Sequence, residues 1–246
     1  MGRPTMTAVP SLTEPLTRVR AALEEVFAPL EGIAAAFIAE RRAAIDAGKE
    51  LTAERVARLR DLIWGGLGTL PSADGLGFVA APGAVEGRER HLEWWQRAAS
   101  GGYTRIRLNL DPDSVDLYDY LDMDWFTGPR RDGRRHVYGP YIDFAGAEGY
   151  VLTMTVPARD GEFLGVAGAD IRMSALEPDL FAILRSAPAA TVLVTGERRV
   201  VAANTPRWIA GSRLDRLPAA GDGTFEAAAD VGADSGWVLA VGCPGT

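Results

Sequence analysis

The chain has 246 residues, 47% hydrophobic and 24% charged, enough for a sizeable core in one large domain or two small ones. Its 33 acidic against 26 basic residues leave a net charge of −7, which argues against nucleic acid as the main partner and mildly favours cationic small molecules. A single cysteine, Cys243, makes no intrachain disulfide, and no stretch nears the roughly 18 apolar residues that a membrane span requires. The opening MGRPTMTAVPSLTEPL shows no apolar signal region and no cleavage pattern, so the cytoplasm is the default expectation, although a trimmed ectodomain would look the same.

Leu12, Leu16, Val19, Leu23, Val26, Leu30, Ile33 and Phe37 recur at alternating spacings of four and three. That predicts one long helix within residues 11–50, opened by Ser11 and Glu14 at capping-box spacing, kinked at Pro29 and ended at Gly48. The stripe fits a helix lying on its own domain; the same spacing would also serve a homodimer seam. Thr52 caps a second helix expected to run to about Leu62 or Trp64, where Gly65-Gly66 and Pro71 break it. Leu76–Ala81, His91–Arg97 and Tyr103–Leu110 read as strands.

Six aspartates then fall within fourteen residues, Asp111, Asp113, Asp116, Asp119, Asp122 and Asp124, interleaved with Tyr118, Tyr120, Trp125 and Phe126. Spaced by three, four of them would form a solvated acidic helix face. Val151–Val156 and Phe163–Ala169 flank Asp160-Gly161, a strong hairpin signal, and the second run ends on Asp170. Ser174–Leu184 is a helix, Val192–Val194 and Val200–Ala203 a hairpin, and Gly236–Val241 a last strand, with Arg213–Gly223 loop-like between them. Hairpins dominate and crossovers are lacking, so the fold class is α+β: the long helix, a module over 51–186 and a small β subdomain over 187–246.

No catalytic residue stands out. His91 and His136 are far apart and outside any metal motif, and both read as surface or satisfied structural histidines; no serine has a nucleophile-elbow context; Cys243 has no neighbouring base; no phosphate loop is present. The aspartates fit no calcium loop, so neither metal nor cofactor is expected. Aromatics beside carboxylates can instead cage an ammonium group, the rings attracting the cation and the carboxylate neutralising it; an aromatic cluster under a loop would look the same.

Four blocks in order, Trp125-Phe126, Tyr138-Gly139-Pro140-Tyr141-x-Asp143, Val151-x-Thr153-x-x-Val156-Pro157 and Gly165-Val166-Ala167-Gly168-Ala169-Asp170-Ile171, resemble the membrane-distal module of double Cache (dCache, PAS-like) sensor domains. The resemblance implies a PAS-like antiparallel sheet that binds a small molecule, and a second, smaller PAS-like unit. In the amino-acid-binding branch the ligand is read by Tyr-x4-Arg-x-Trp-Tyr, then by the Tyr of the Pro-Tyr block and the Asp of the last block. These positions fall on Tyr118, Trp125, Phe126 (in place of Tyr), Tyr141 and Asp170, while the arginine position is Met123. The resemblance thus keeps the residues for the amino group and loses the carboxylate clamp, which methionine does not replace.

The ligand expected on this basis is a cationic amine without an α-carboxylate. Tyr118, Asp122, Asp124, Trp125, Phe126, Tyr141, Asp143 and Asp170 are the candidate binding residues. The alternatives are a carboxylate or amino-acid sensor anchored by Arg105, Arg107 or Arg135, a metal-dependent enzyme using the acidic cluster, and an assembly protein. Family members usually sit between two membrane spans, neither of which is present in the sequence. That suggests a free-standing soluble sensor, without membrane insertion, acting on a separate signalling protein, or a fragment of a larger receptor.

Overall fold

The structure is a computed structural model that describes residues 10–143 and 149–244, with side chains described over 12–142 and 149–244. Helix α1, Pro10–Asp46, carries the predicted stripe. Leu12, Val19, Leu23, Val26, Leu30, Ile33 and Phe37 are all buried within the chain, so this stripe is not available as a dimer seam. Pro29 does not end the helix. The chain leaves it through bonds from the Gly48 and Lys49 N–H groups to the Ile45 and Ala44 carbonyls, at 2.8 and 2.9 Å. The Ser11 side chain lies outside the described residues.

Thr52 caps α2, Ala53–Val56, by accepting from the Arg55 N–H. A 3-10 turn then leads into α3, Arg60–Thr69, so the helix does not break at Gly65-Gly66 as expected. The reason is packing: a Cβ at Gly66 would lie 3.3 Å from both Pro29 and Leu76, and glycine lets α3 settle there.

Strands β1 (Ala73–Ala80), β2 (His91–Arg97), β3 (Tyr103–Arg105), β4 (His136–Asp143), β5 (Gly149–Asp160) and β6 (Glu162–Arg172) form one antiparallel sheet in the order β3-β2-β1-β6-β5-β4. The β5–β6 hairpin turns at Gly161, whose φ of 74° is a left-handed conformation that favours glycine. Asp170 does not end its strand, which continues to Arg172. Side chains alternate between faces. Phe78 points to the helix side, stacked on Phe37 at 3.8 Å, and Val79 points to the other.

The sequence expectation of a strand to Leu110 fails after Arg105. The chain instead enters a loop organised by side-chain-to-backbone bonds: Asn109 accepts from the Asp111 N–H, Asp111 from Asp113, Ser114 from Asp116 and Asp119 from Leu121. The acidic run is therefore a series of turns, a conformation in which Asp and Asn compete with helix formation, and not an acidic helix face. Helix α4, Asp124–Asp132, follows.

Among the described residues, 10–24 and 174–244 form a second compact unit in addition to that of residues 25–143 and 149–173. It contains all but the first residue of α5, Met173–Arg185, and a four-stranded antiparallel sheet, β8-β7-β10-β9. Its strands are β7 Thr191–Val194, β8 Val200–Ala203, β9 Phe225–Asp230 and β10 Val238–Gly242. The alanine-rich β9 carried no strand signal. Its core joins Val192, Val194 and Val200 to Trp208 stacked on Phe225 at 5.6 Å.

Candidate ligand-binding site

On the large sheet's face away from α1, three glycines make a thin floor. Gly77 lies opposite Trp94 of β2 on one side and Gly168 of β6 on the other, and Gly75 precedes it on the same face. A Cβ at Gly75 would stand 2.4 Å from the Trp94 indole nitrogen, and one at Gly168 would stand 3.3 Å from its ring. The indole therefore lies flat where side chains would otherwise project.

Above this floor is a cavity of about 420 Å³, open mouth included, lined by Val79, Leu92, Trp94, Ile106, Leu108, Tyr118, Trp125, Tyr141, Thr153 and Asp170. Eight of these are aliphatic or aromatic, and none is basic. Strand register builds the polar end: Asp170 sits opposite Gly75 on one neighbour and Thr153 on the other. Asp170 is only 8% exposed. The Thr153 hydroxyl donates to its Oδ1 at 2.7 Å and lies 2.8 Å from the Tyr141 hydroxyl.

Two further elements cover the floor. Helix α4 supplies Trp125, whose carbonyl accepts from the Thr155 hydroxyl at 3.1 Å, tying α4 to β5. The loop after β3 supplies Ile106, Leu108 and Tyr118. That loop is held at its start by the Ile106 N–H on the Trp94 carbonyl, 3.0 Å. Beyond Tyr118 it is held by Arg90, which grips both carboxylate oxygens of Asp119 at 3.2 and 3.1 Å. Fully buried Tyr120 locks the same corner, accepting from the His91 N–H and donating to the Ala80 carbonyl. Burial pushes its phenol up to about 12.

Of the candidates named from sequence, Tyr118, Trp125, Tyr141 and Asp170 meet around the cavity. Asp122 and Asp124 do not line it and are exposed, one in the 3-10 turn Tyr120–Asp122, the other opening α4. Phe126 is buried beneath, edge-on to Tyr120 and Phe163, as a packing residue. The Asp143 side chain lies outside the described residues. Arg105 pairs with buried Glu93 at 2.8 Å, Arg135 pairs with Glu31 and covers the Phe27 ring, and Arg107 is exposed; none of the three lines the cavity.

Sequence reasoning missed Val79, Leu92, Trp94, Ile106, Leu108 and Thr153 as lining residues. The glycine at every second position of β1 was the available signal for Trp94. His91, read as a surface or satisfied histidine, is buried, and Nε2 has no hydrogen-bond partner among the described residues. Burial, helped by Arg105 and Arg88, lowers it to about 4. His136 bonds Asp132 at 3.0 Å. Among the described residues no three His, Cys, Asp or Glu side chains converge as a metal site would require.

Residues 101–178, from the turn before β3 into α5, match the family model described as methyl-accepting chemotaxis protein-like, first PDC sensor domain. Comparison with curated proteins gives no match. Among solved structures, the chain is similar to the extracellular domain of the histidine kinase soHK1S-Z6, at 18% identity and a TM-score of 0.62, covering 95% of this chain and 91% of that one. It is similar to the ligand-binding domain of the Pseudomonas fluorescens chemoreceptor CtaA, solved with L-valine, at 16% identity and a TM-score of 0.58, covering 96% and 95%. The ligand-binding domain of the Pseudomonas aeruginosa amino-acid chemoreceptor PctC, solved with GABA, aligns at 20% identity and a TM-score of 0.53, covering 92% and 93%.

These neighbours correct the default expectation of a cytoplasmic protein, since the first of them is an extracellular domain. Among the described residues no helix is long and apolar enough to cross a membrane. The chain thus has the fold of these extracellular and ligand-binding domains, and its residues 101–178 match the first PDC sensor domain in sequence.

Proposed function

We propose that this chain is the extracellular, non-catalytic sensing portion of a signalling system, and that its ligand is a cationic amine seated with its ammonium on Asp170. The observation that carries this is the chemistry of the cavity wall among the described residues: the buried Asp170 carboxylate at the polar end, aromatic and aliphatic side chains elsewhere, and no basic lining residue. A carboxylate held in such surroundings carries a desolvation cost that an ammonium ligand offsets, and the faces of Trp94, Trp125 and Tyr118 favour the same charge. Tyr118, Trp125, Tyr141 and Asp170 are the proposed contacts. Output passes to a separate kinase or chemotaxis partner.

A second ligand class is an amino acid, supported by the neighbours solved with L-valine and GABA. Both classes present an ammonium and differ in whether a carboxylate must also be held. A thermal-shift screen of amines, amino acids and organic acids separates them, because a ligand that binds only the folded state raises the melting temperature. Amines alone shifting the transition supports the first; amino acids shifting it further than their decarboxylated amines selects the second; organic acids without an amino group shifting it, with amines inert, overturns both.

A further inference from the structure

The register of the large sheet sorts the cavity floor into three rows across the strands. At one end Gln96, Gly75, Asp170 and Thr153 lie side by side on β2, β1, β6 and β5. Two residues further along β1, the row is Trp94, Gly77, Gly168 and Thr155. Two further again, it is Leu92, Val79, Val166 and Pro157. Residues directly opposite one another on paired antiparallel strands point to the same face. One end of this face is therefore polar, the middle is aromatic over glycine, and the far end is aliphatic. From Gly75 to Val79 β1 rises about 13 Å.

The loop after β3 adds Ile106 and Leu108 to the lining, and the Ile106 N–H on the Trp94 carbonyl starts that loop alongside the middle row. Among the described lining residues no charged group stands with Val79 and Leu92. A second charge seated there would lose its water and find no charged partner, whereas a hydrocarbon group gains from the same transfer. We infer that the site takes a monoamine with a hydrocarbon body, aliphatic or aromatic, lying along β1 from Asp170 toward Val79 and Leu92, and that it rejects diamines and polyamines. The inference rests on the ammonium-binding function proposed above for its polar end, and the aliphatic row is a separate observation.

The experiment is calorimetric titration of the parent chain with n-propylamine, n-butylamine, n-pentylamine, n-hexylamine and hexamethylenediamine. Affinity is expected to rise about threefold for each added methylene, the scale of methylene burial. Hexamethylenediamine, which differs from n-hexylamine by a second charged end, is expected to bind about tenfold or more weakly than it. Leu92→Ala is expected to weaken n-hexylamine by about fivefold or more and n-propylamine, too short to reach the aliphatic row, by less than about twofold. Leu108→Ala, in the half-buried part of the cover loop, is expected to show the same selective loss, which keeps the test sound if the Leu92 variant does not fold. Asp170→Asn reads the polar end by itself and is expected to weaken every alkylamine by a similar factor.

Affinity that is flat across the alkyl series, a diamine that binds as well as n-hexylamine, or equal losses of n-propylamine and n-hexylamine in both leucine variants would each overturn the hydrocarbon subsite while leaving the ammonium site standing. A parent chain that binds none of the amines, or an Asp170→Asn variant that binds them all as the parent does, overturns the ammonium site itself, and the inference with it.

Discussion

Two antiparallel sheets in one chain put a tryptophan to opposite uses. In the small sheet Trp208 stacks on Phe225, and a Cβ at Gly242 would meet its ring at 2.6 Å. The indole there is filling. In the large sheet Trp94 also lies over glycine, but it is floor, with an aromatic and aliphatic cavity above it. The difference lies in what comes from outside the sheet. α4 and the loop after β3 arch over Trp94 and bring Trp125 and Tyr118, and a carboxylate stands at one end. A thin floor, a polar wall and a separately anchored cover together make a cavity; a thin floor alone makes a core.

If the two tryptophans differ in this way, the largest effect on stability belongs to the small sheet. Trp208→Ala should cost about 3–5 kcal/mol of stability, as large-to-small core changes do, with ligand affinity unchanged. Denaturant melts read the first effect, and titration with a ligand found by thermal shift reads the second; a large fall in affinity would mean that the small sheet does contribute to binding. Asp170→Asn should do the reverse, weakening an ammonium ligand by about 2–4 kcal/mol through loss of a buried charge pair, with a melting temperature near the parent's. An affinity within about twofold of the parent would remove Asp170 from the site.

Gly75→Ala tests the floor. The new methyl would displace the Trp94 indole toward the cavity, costing about 1–3 kcal/mol in stability and lowering affinity together, measurable by melting and titration on one preparation. The last test concerns His91, outside the cavity lining, whose effect appears only in acid. Its folded value of about 4 lies below the unfolded value of 6.5, so the unfolded chain binds the proton first. The His91 contribution is full above pH 6.5, declines as pH falls toward 4, and levels off below that. In His91→Leu the melting temperature should decline less steeply across that window, and an unchanged slope would show that His91 is not the group responsible.

Much of the fold was legible because it rests on local patterns. The stripe on α1, the Asp160-Gly161 turn and the β-branched runs around it each encode their own element. The failures are tertiary. Gly65-Gly66 reads as a break because propensity does not know that Pro29 and Leu76 wait for a surface without side chains. The strand predicted to Leu110 ends at Arg105, and Ile106 and Leu108 beyond it line the cavity instead. β9 is invisible in Phe225–Asp230, which is mostly alanine and acid and becomes a strand only beside β10.

The candidate site divides the same way. Tyr118, Trp125, Tyr141 and Asp170 could be picked by resemblance and chemistry together. Asp122, Asp124 and Phe126 are their chain neighbours, and only three-dimensional placement separates them: two carboxylates lie in solvent and one ring lies in the core. Thr153 and Trp94 needed strand register, which no short window of sequence supplies.

The turn-forming aspartates after β3 have a kinetic consequence. Asp111 uses a carboxylate oxygen to hold the loop's backbone, and exposed Asp113 and Asp116 follow it, while Asp119 is paired with Arg90. Asp111, Asp113 and Asp116 lie between Leu108 and Tyr118, two residues of the cavity wall. For the cationic ligand proposed above, the cover is therefore also an electrostatic funnel that raises the rate of encounter. Such a field is screened over about 8 Å at physiological ionic strength, so added salt should slow association while leaving the rate of escape from Asp170 nearly untouched.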